Sequence, residues 1–183
     1  MKNKFLIIAV AAIIGASCCA CSSASDEGQS SKPNSASSQS AGDSNKAEEL
    51  GVGEEWVVDG QWSLVINSVS ETDERNEFAE SKPKAVYVID YTYKNIGYKD
   101  ASGLMDGLFF SMDEGIVDNA GVVGYSYPGD VTNPPKETPI GASCNAQSTI
   151  GVDNAGAFKI TVTAYDSESN KQSVTFAVPN PQK

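Results

Sequence analysis

The chain contains no histidine. That excludes Ser-His and Cys-His nucleophilic catalysis, histidine-ligated zinc and a simple proton switch near neutral pH. Cysteine is nearly as scarce where a fold would use it. Three of the four cysteines crowd together at Cys18, Cys19 and Cys21, and Cys144 stands alone in the body of the sequence. One thiol closes no disulfide within a domain, and no zinc-ligand spacing exists. Cys144 therefore reads as a small apolar residue of a strand. Positive charge is thin as well: 13 Lys and Arg face 24 Asp and Glu, for a formal net charge of −11. From residue 51 onward nineteen acids stand against nine bases. Such a surface repels nucleic-acid phosphate and anionic headgroups, so nucleic acid is excluded as a partner and the charge itself serves solubility. No long stretch carries helical periodicity.

What is present begins with an address. Lys2 and Lys4 give a positive start, and Phe5–Ala16 is an apolar run too short to span a bilayer as a folded helix. Small residues and the cysteine cluster follow at once. Residues 1–21 resemble a bacterial lipoprotein signal, in which a small residue precedes a cysteine that becomes lipidated and N-terminal. Cys21 follows Ala20 and precedes Ser22-Ser23; Cys18 follows Gly15-Ala16-Ser17. Either fits, and Cys19 fits least because a cysteine would precede the cut. The resemblance implies a cell-membrane location, lipid-anchored, on the extracellular face.

Residues 22–50 read as a tether. Ten of these 29 residues are serine, and Leu50 is the only aliphatic side chain larger than alanine. A segment this polar cannot bury enough surface to offset its ordering entropy, so the expectation is a disordered linker. As a coil it spans on the order of 30 Å.

From residue 51 to 183 strand and turn signals alternate. The longest strand-like run is Lys84–Gly97, with Tyr87, Ile89, Tyr91 and Tyr93 at every second position. Glu54–Val58 and Gln61–Ser70 flank Asp59-Gly60, a hairpin-type turn. Residues 71–83 read as an exposed loop, and 104–112 hold the apolar group Leu108-Phe109-Phe110. Short runs at Ile116-Val117 and Val122–Tyr127 precede Pro128–Gly141, whose four prolines bar it from a sheet interior. Ala142–Val152 reads as a weaker strand, polar at alternate residues. Phe158–Tyr165 and Lys171–Val178 alternate cleanly. About seven short strands in this length predict an all-β, immunoglobulin-like antiparallel β-sandwich over residues 51–183, with a small barrel as the alternative.

The order of Trp62–Val69, a variable loop, and the long strand Val86–Gly97 resembles the telokin-like immunoglobulin-fold domains of Gram-positive surface lipoproteins. Tyr127-Pro128-Gly129-Asp130 and Pro139-Ile140-Gly141-Ala142 match the later proline-containing turns. The resemblance spans most of residues 51–180 and brings no catalytic residues with it.

Candidate chemistry is sparse. Asp166-Ser-Glu168-Ser-Asn170 alternates oxygen ligands like half a calcium loop but lacks its glycine and distal glutamate, so a hairpin turn is the expectation. Asp113-Glu114 and Asp118-Asn119 could likewise offer oxygens to calcium but read as solvated turns, and no metal or cofactor is assigned. With nineteen acids, some carboxylate pair lies at glycosidase spacing by chance alone. Tyr125 and Tyr127, beside the proline-rich loop, are the tentative binding residues, as an exposed aromatic platform or else as caps on the sandwich edge. Trp56 is open to both readings. The expected function is a non-catalytic envelope binding module for a protein, peptide or glycan; the alternative is an accessory subunit or inhibitor of an envelope enzyme.

Overall fold

A computed structural model of the protein describes residues 48–181. Cys18, Cys21 and most of the tether lie outside these residues. Among the described residues no helix forms, and nine strands build two sheets.

The long alternating run is the middle of the larger sheet. Strand β4 (Ala85–Asn95) lies between β3 (Trp62–Thr72) and β7 (Ser143–Val152), with β2 (Glu55–Val58) and β6 (Tyr125–Ser126) at the edges. Tyr87, Ile89, Tyr91 and Tyr93 are all essentially buried on its inner face. The smaller sheet runs β1 (Glu48–Gly51), β9 (Lys171–Val178), β8 (Phe158–Tyr165), β5 (Ile116–Asp118). Its Phe158, Ile160, Val162, Val174, Phe176 and Val178 join the same core. Fully burying one such side chain contributes about 1.5–3 kcal/mol. Tyr87 stacks on Phe158 across the two sheets at 5.1 Å between ring centroids, worth about 0.5–1.5 kcal/mol beyond the area it buries. An all-β sandwich of two facing sheets is what the alternation predicted.

Several expectations need correction. Among the described residues there are nine strands where about seven were expected, and four of them, β1, β2, β5 and β6, are only two to four residues long. The pairing is not wholly antiparallel: β1 lies parallel to β9, with Leu50 opposite Phe176. The expected tether, residues 22–50, therefore overlaps the sheet from Glu48 onward. Polar Glu48-Glu49 carries no strand signal; the ladder of β9 and the packing of Leu50 against the core make these residues a strand. The segment read as weak, Ala142–Val152, is a central strand paired with β4 over ten residues. Its polar Ser148 points inward but is satisfied, with its hydroxyl 3.2 Å from the Tyr91 hydroxyl and accepting the Met112 N–H at 3.3 Å. Residues 104–112 form no named strand. They plug the core with Leu108, Phe110 and Met112 and leave Phe109 facing out.

One bulge shapes β3. The register with β4 slips between Ile66 and Ser68, and the extra residue, Asn67, donates its amide to Asp90 at 2.7 Å and Thr92 at 2.9 Å.

Candidate functional site

Tyr127 is not part of an exposed platform. It is buried, its backbone N–H donates to the Thr149 carbonyl at 2.9 Å, and its hydroxyl accepts the Asn76 N–H at 2.8 Å. The ring is committed because the chain turns there to bring residues 127–130 over β7. Tyr125 lies half-buried across Gly151, where a methyl group would stand 2.8 Å from the tyrosine ring. Trp56 is core, edge-on to Trp62 at 5.6 Å.

What Tyr127 does is frame a cavity. The loop between β3 and β4 folds over the outer face of the larger sheet and leaves a solvent-open cavity of about 570 Å³. Its floor is the row of outward residues Thr72, Val86, Val88 and Thr149. One wall is Glu74–Phe78 and the other Tyr127–Asp130. The walls are tied together, since the Asn76 side-chain amide also donates to the Pro128 carbonyl at 3.0 Å. Arg75 is spent within its own loop, donating to the carbonyls of Thr72 at 2.6 Å and Glu74 at 2.8 Å. Phe78 stands at the lip with 86% of its surface exposed, although it is one of the largest apolar side chains of the domain. Beneath the far wall, the Thr149 hydroxyl is buried with no hydrogen-bond partner. Gly129 passes so close that a Cβ there would stand 2.7 Å from the threonine methyl and 2.9 Å from its hydroxyl.

The proline-rich stretch 128–141 is exposed along most of its length yet pinned from below. The Tyr93 hydroxyl donates to the Lys136 carbonyl and accepts the Lys136 N–H at 3.0 Å. Desolvation pushes the Tyr93 phenol up to about 12, so it stays protonated and able to donate. Buried Asn95 donates its amide to the carbonyls of Thr138 at 3.0 Å and Tyr98 at 3.1 Å. At the end of β4, its side chain is a clamp between two loops.

The acidic turns are built for structure. Asp118 is buried at the end of β5. One carboxylate oxygen accepts the N–H groups of Ala120 and Val122, at 3.0 and 2.8 Å. The other accepts the Asn154 N–H at 3.1 Å and its amide at 2.8 Å. Desolvation pushes this carboxyl's pKa up, and the hydrogen bonds outweigh it, so the net shift is downward. Asp166 closes the β8–β9 hairpin by accepting from the N–H groups of Glu168 and Asn170 and from the side chains of Asn170 and Gln172. Asp113 accepts the Ser111 hydroxyl at 2.5 Å. Among the described residues no three ligating side chains converge as a metal cluster. Ser81 and Lys84 do have a Ser-x-x-Lys spacing, but they lie on irregular chain rather than on the helix that would bring them to one face. Cys144 is a free, half-buried thiol on β7.

Phe78 and Asn76 were missed as site residues. They lie in a polar stretch that reads as an ordinary exposed loop. The available signal was a lone phenylalanine among charged neighbours.

No family model matches the chain, and no curated protein matches it. Among solved structures, it is similar to that of a proposed lipoprotein, ycdA of Bacillus subtilis subsp. subtilis str. 168, at 18% sequence identity and a TM-score of 0.47. The match covers 66% of this chain and 37% of that one, so the chain spans well under half the length of that neighbour. Among the described residues no helix is long and apolar enough to cross a membrane.

Proposed function

We propose that the domain is a non-catalytic binding module of the bacterial envelope, held at the membrane by a lipid on Cys21 or Cys18, and that the cavity under residues 73–78 is its contact site. The observation that carries the reading is Phe78: an almost fully exposed aromatic ring held at the mouth of a framed cavity. The loop that bears it is fastened through Asn76 to Tyr127 and Pro128, so little ordering entropy remains to be lost on binding. Half-buried Val88 offers an apolar floor and Glu74, Glu77 and Asp130 a polar rim, which suits a peptide or glycan presenting an apolar face. The carboxyls that shift, Asp100, Asp118 and Asp166, all shift downward, opposite to what a general acid needs. The resemblance of Trp62–Val69 and Val86–Gly97 to telokin-like domains of surface lipoproteins supports the same reading.

The test is capture from envelope extract by the full chain and by its Phe78→Ser variant. Burying the ring contributes about 1.5–3 kcal/mol, so the variant should lose about 10- to 150-fold in affinity for the captured partner. Equal capture by both chains refutes the cavity as the site, and turnover of a captured molecule refutes the non-catalytic reading. Mass spectrometry of the mature N-terminus, finding an unmodified residue other than Cys21 or Cys18, would remove the anchor.

A further inference from the structure

The domain manages three of its four sheet edges. β1 opens with Glu48-Glu49; β2 is four residues long and follows Glu54; β6 is two residues long and runs into Pro128. Short length, charge and proline are the ordinary means of keeping an edge from pairing. The β8 edge is different. This strand is eight residues long, and β5 covers only Phe158–Ile160. The last contact of that neighbour is the Gly115 carbonyl, which accepts the Thr161 N–H at 2.9 Å. N–H and C=O groups two residues apart point the same way along a strand. Those of Thr163 and Tyr165 therefore point, like those of Thr161, away from β9 and past the end of β5. Thr161–Tyr165 contains no lysine, proline or bulge.

Beside this open edge lies a groove of about 730 Å³, walled on its other side by residues 98–114. Its chemistry is one-sided. Asp100, Asp113 and Glu114 line it, and no Lys or Arg does. Its apolar surface is already exposed: Met105 at 37%, Phe109 at 41% and Tyr165 at 58%. Trp62, part of the wall, carries a buried indole N–H with no hydrogen-bond partner.

We infer that the open edge of β8 is a docking site for an extended, positively charged peptide, which adds to the four-stranded sheet as an outer strand. Main-chain hydrogen bonds to Thr163 and Tyr165 hold the peptide. Successive side chains of an extended peptide point to opposite faces, so apolar residues meet Met105, Phe109 and Tyr165 while cationic residues meet the acids. The acidic wall speeds encounter and rejects acidic segments. The groove opens at the edge of the other sheet and shares no lining residue with the Phe78 cavity, so either site can fail without the other.

The probe is an end-capped hexapeptide alternating lysine and valine, titrated calorimetrically into the full chain in detergent. The expected result is saturable binding that weakens as salt rises. Two further probes carry N-methyl groups on all the lysine nitrogens or on all the valine nitrogens. Because a strand offers every second N–H to one neighbour, one of the two should lose at least about tenfold in affinity and the other clearly less. In the protein, Thr163→Pro removes an edge donor at a position where edge strands tolerate proline, and should abolish binding. Glu114→Lys, on an exposed side chain, should weaken it several-fold with the fold untouched. No binding of the lysine-valine peptide, equal binding of a glutamate-valine peptide, or indifference to both methylated probes would each overturn the inference. So would concentration-dependent self-association that Thr163→Pro abolishes in a chain that binds no peptide, since the occupant would then be a second copy.

Discussion

Replacing Tyr127 by phenylalanine isolates the bond that fastens the cavity wall. The ring stays, so its burial is retained, and the Thr149 carbonyl still receives the backbone N–H of residue 127. What disappears is the 2.8 Å hydrogen bond from the Asn76 N–H to the hydroxyl. A bond of this kind contributes about 0.5–1.5 kcal/mol net. Asn76 keeps its amide bond to the Pro128 carbonyl, so the loop should loosen rather than detach. The loss falls on local opening of residues 73–78, while the core beneath, built from Tyr87 to Tyr93 and the facing strands, is untouched. Arg75 sits inside this loop and is a natural reporter, because trypsin cleaves after arginine only when the segment opens. When opening and closing are fast relative to cleavage, the cleavage rate follows the open population. That rate should rise about two- to twelvefold, with the urea midpoint of the whole domain lowered only slightly. Unchanged cleavage after Arg75 in a normally folded variant would refute the clamp. A collapse of global stability would show instead that Tyr127 belongs to the core and that the loop is not an independent element.

Two further outcomes follow from the clamps and turns. Tyr93→Phe removes both bonds to Lys136 at once and leaves its N–H without a partner, while its carbonyl keeps the Thr138 hydroxyl at 3.0 Å; a destabilisation of about 1–3 kcal/mol by urea unfolding is expected, with the same wild-type and variant stability disproving the clamp. For Asp118 the sign follows from its lowered folded pKa: its contribution is fully present above the ordinary carboxylate value of about 3.9 and is lost as pH falls through the lower folded value. Asp100, held down to about 2 by the Ser102 hydroxyl and nearby N–H groups, acts in the same direction. Urea midpoints of Asp118→Asn should therefore lie below wild type at neutral pH and converge on it in acid, and a gap that stays constant to pH ~2 would contradict the assignment.

Fold class was legible because alternation is a local signal with a global cause. Phe158–Tyr165 and Lys171–Val178 bury one face each, and a period of two in the side chains says so without any knowledge of the partner strand. The same holds for Tyr87 to Tyr93. The hairpin at Asp166 was legible too, because Asp166 bonds to backbone groups within four residues of itself; Asp118 read as a solvated turn but is buried and reaches Asn154 across 36 positions.

The candidate site depended on contacts that sequence distance hides. Tyr127 meets Asn76 across 51 positions, Asn95 meets Thr138 across 43, and Tyr91 meets Ser148 across 57. Each pairs a polar side chain with a group whose own surroundings give no sign of it. Tyr127 therefore reads equally as an exposed platform or as a cap on the sandwich edge until the turn at residues 127–130 lays it against β7 and the β3–β4 loop. Glu48-Glu49 reads as linker until β9 offers it a ladder. Phe78 reads as an accident of a polar loop until the same loop is found folded over the sheet with that ring left outside. The sequence determined which residues can lie in a sheet and which face they bury, since those follow from the chain's own periodicity. Only the tertiary structure decided which loop covers which sheet, where an edge stays open and which aromatic ring is spent on the core, because each is settled by long-range hydrogen bonds and packing that no local pattern encodes.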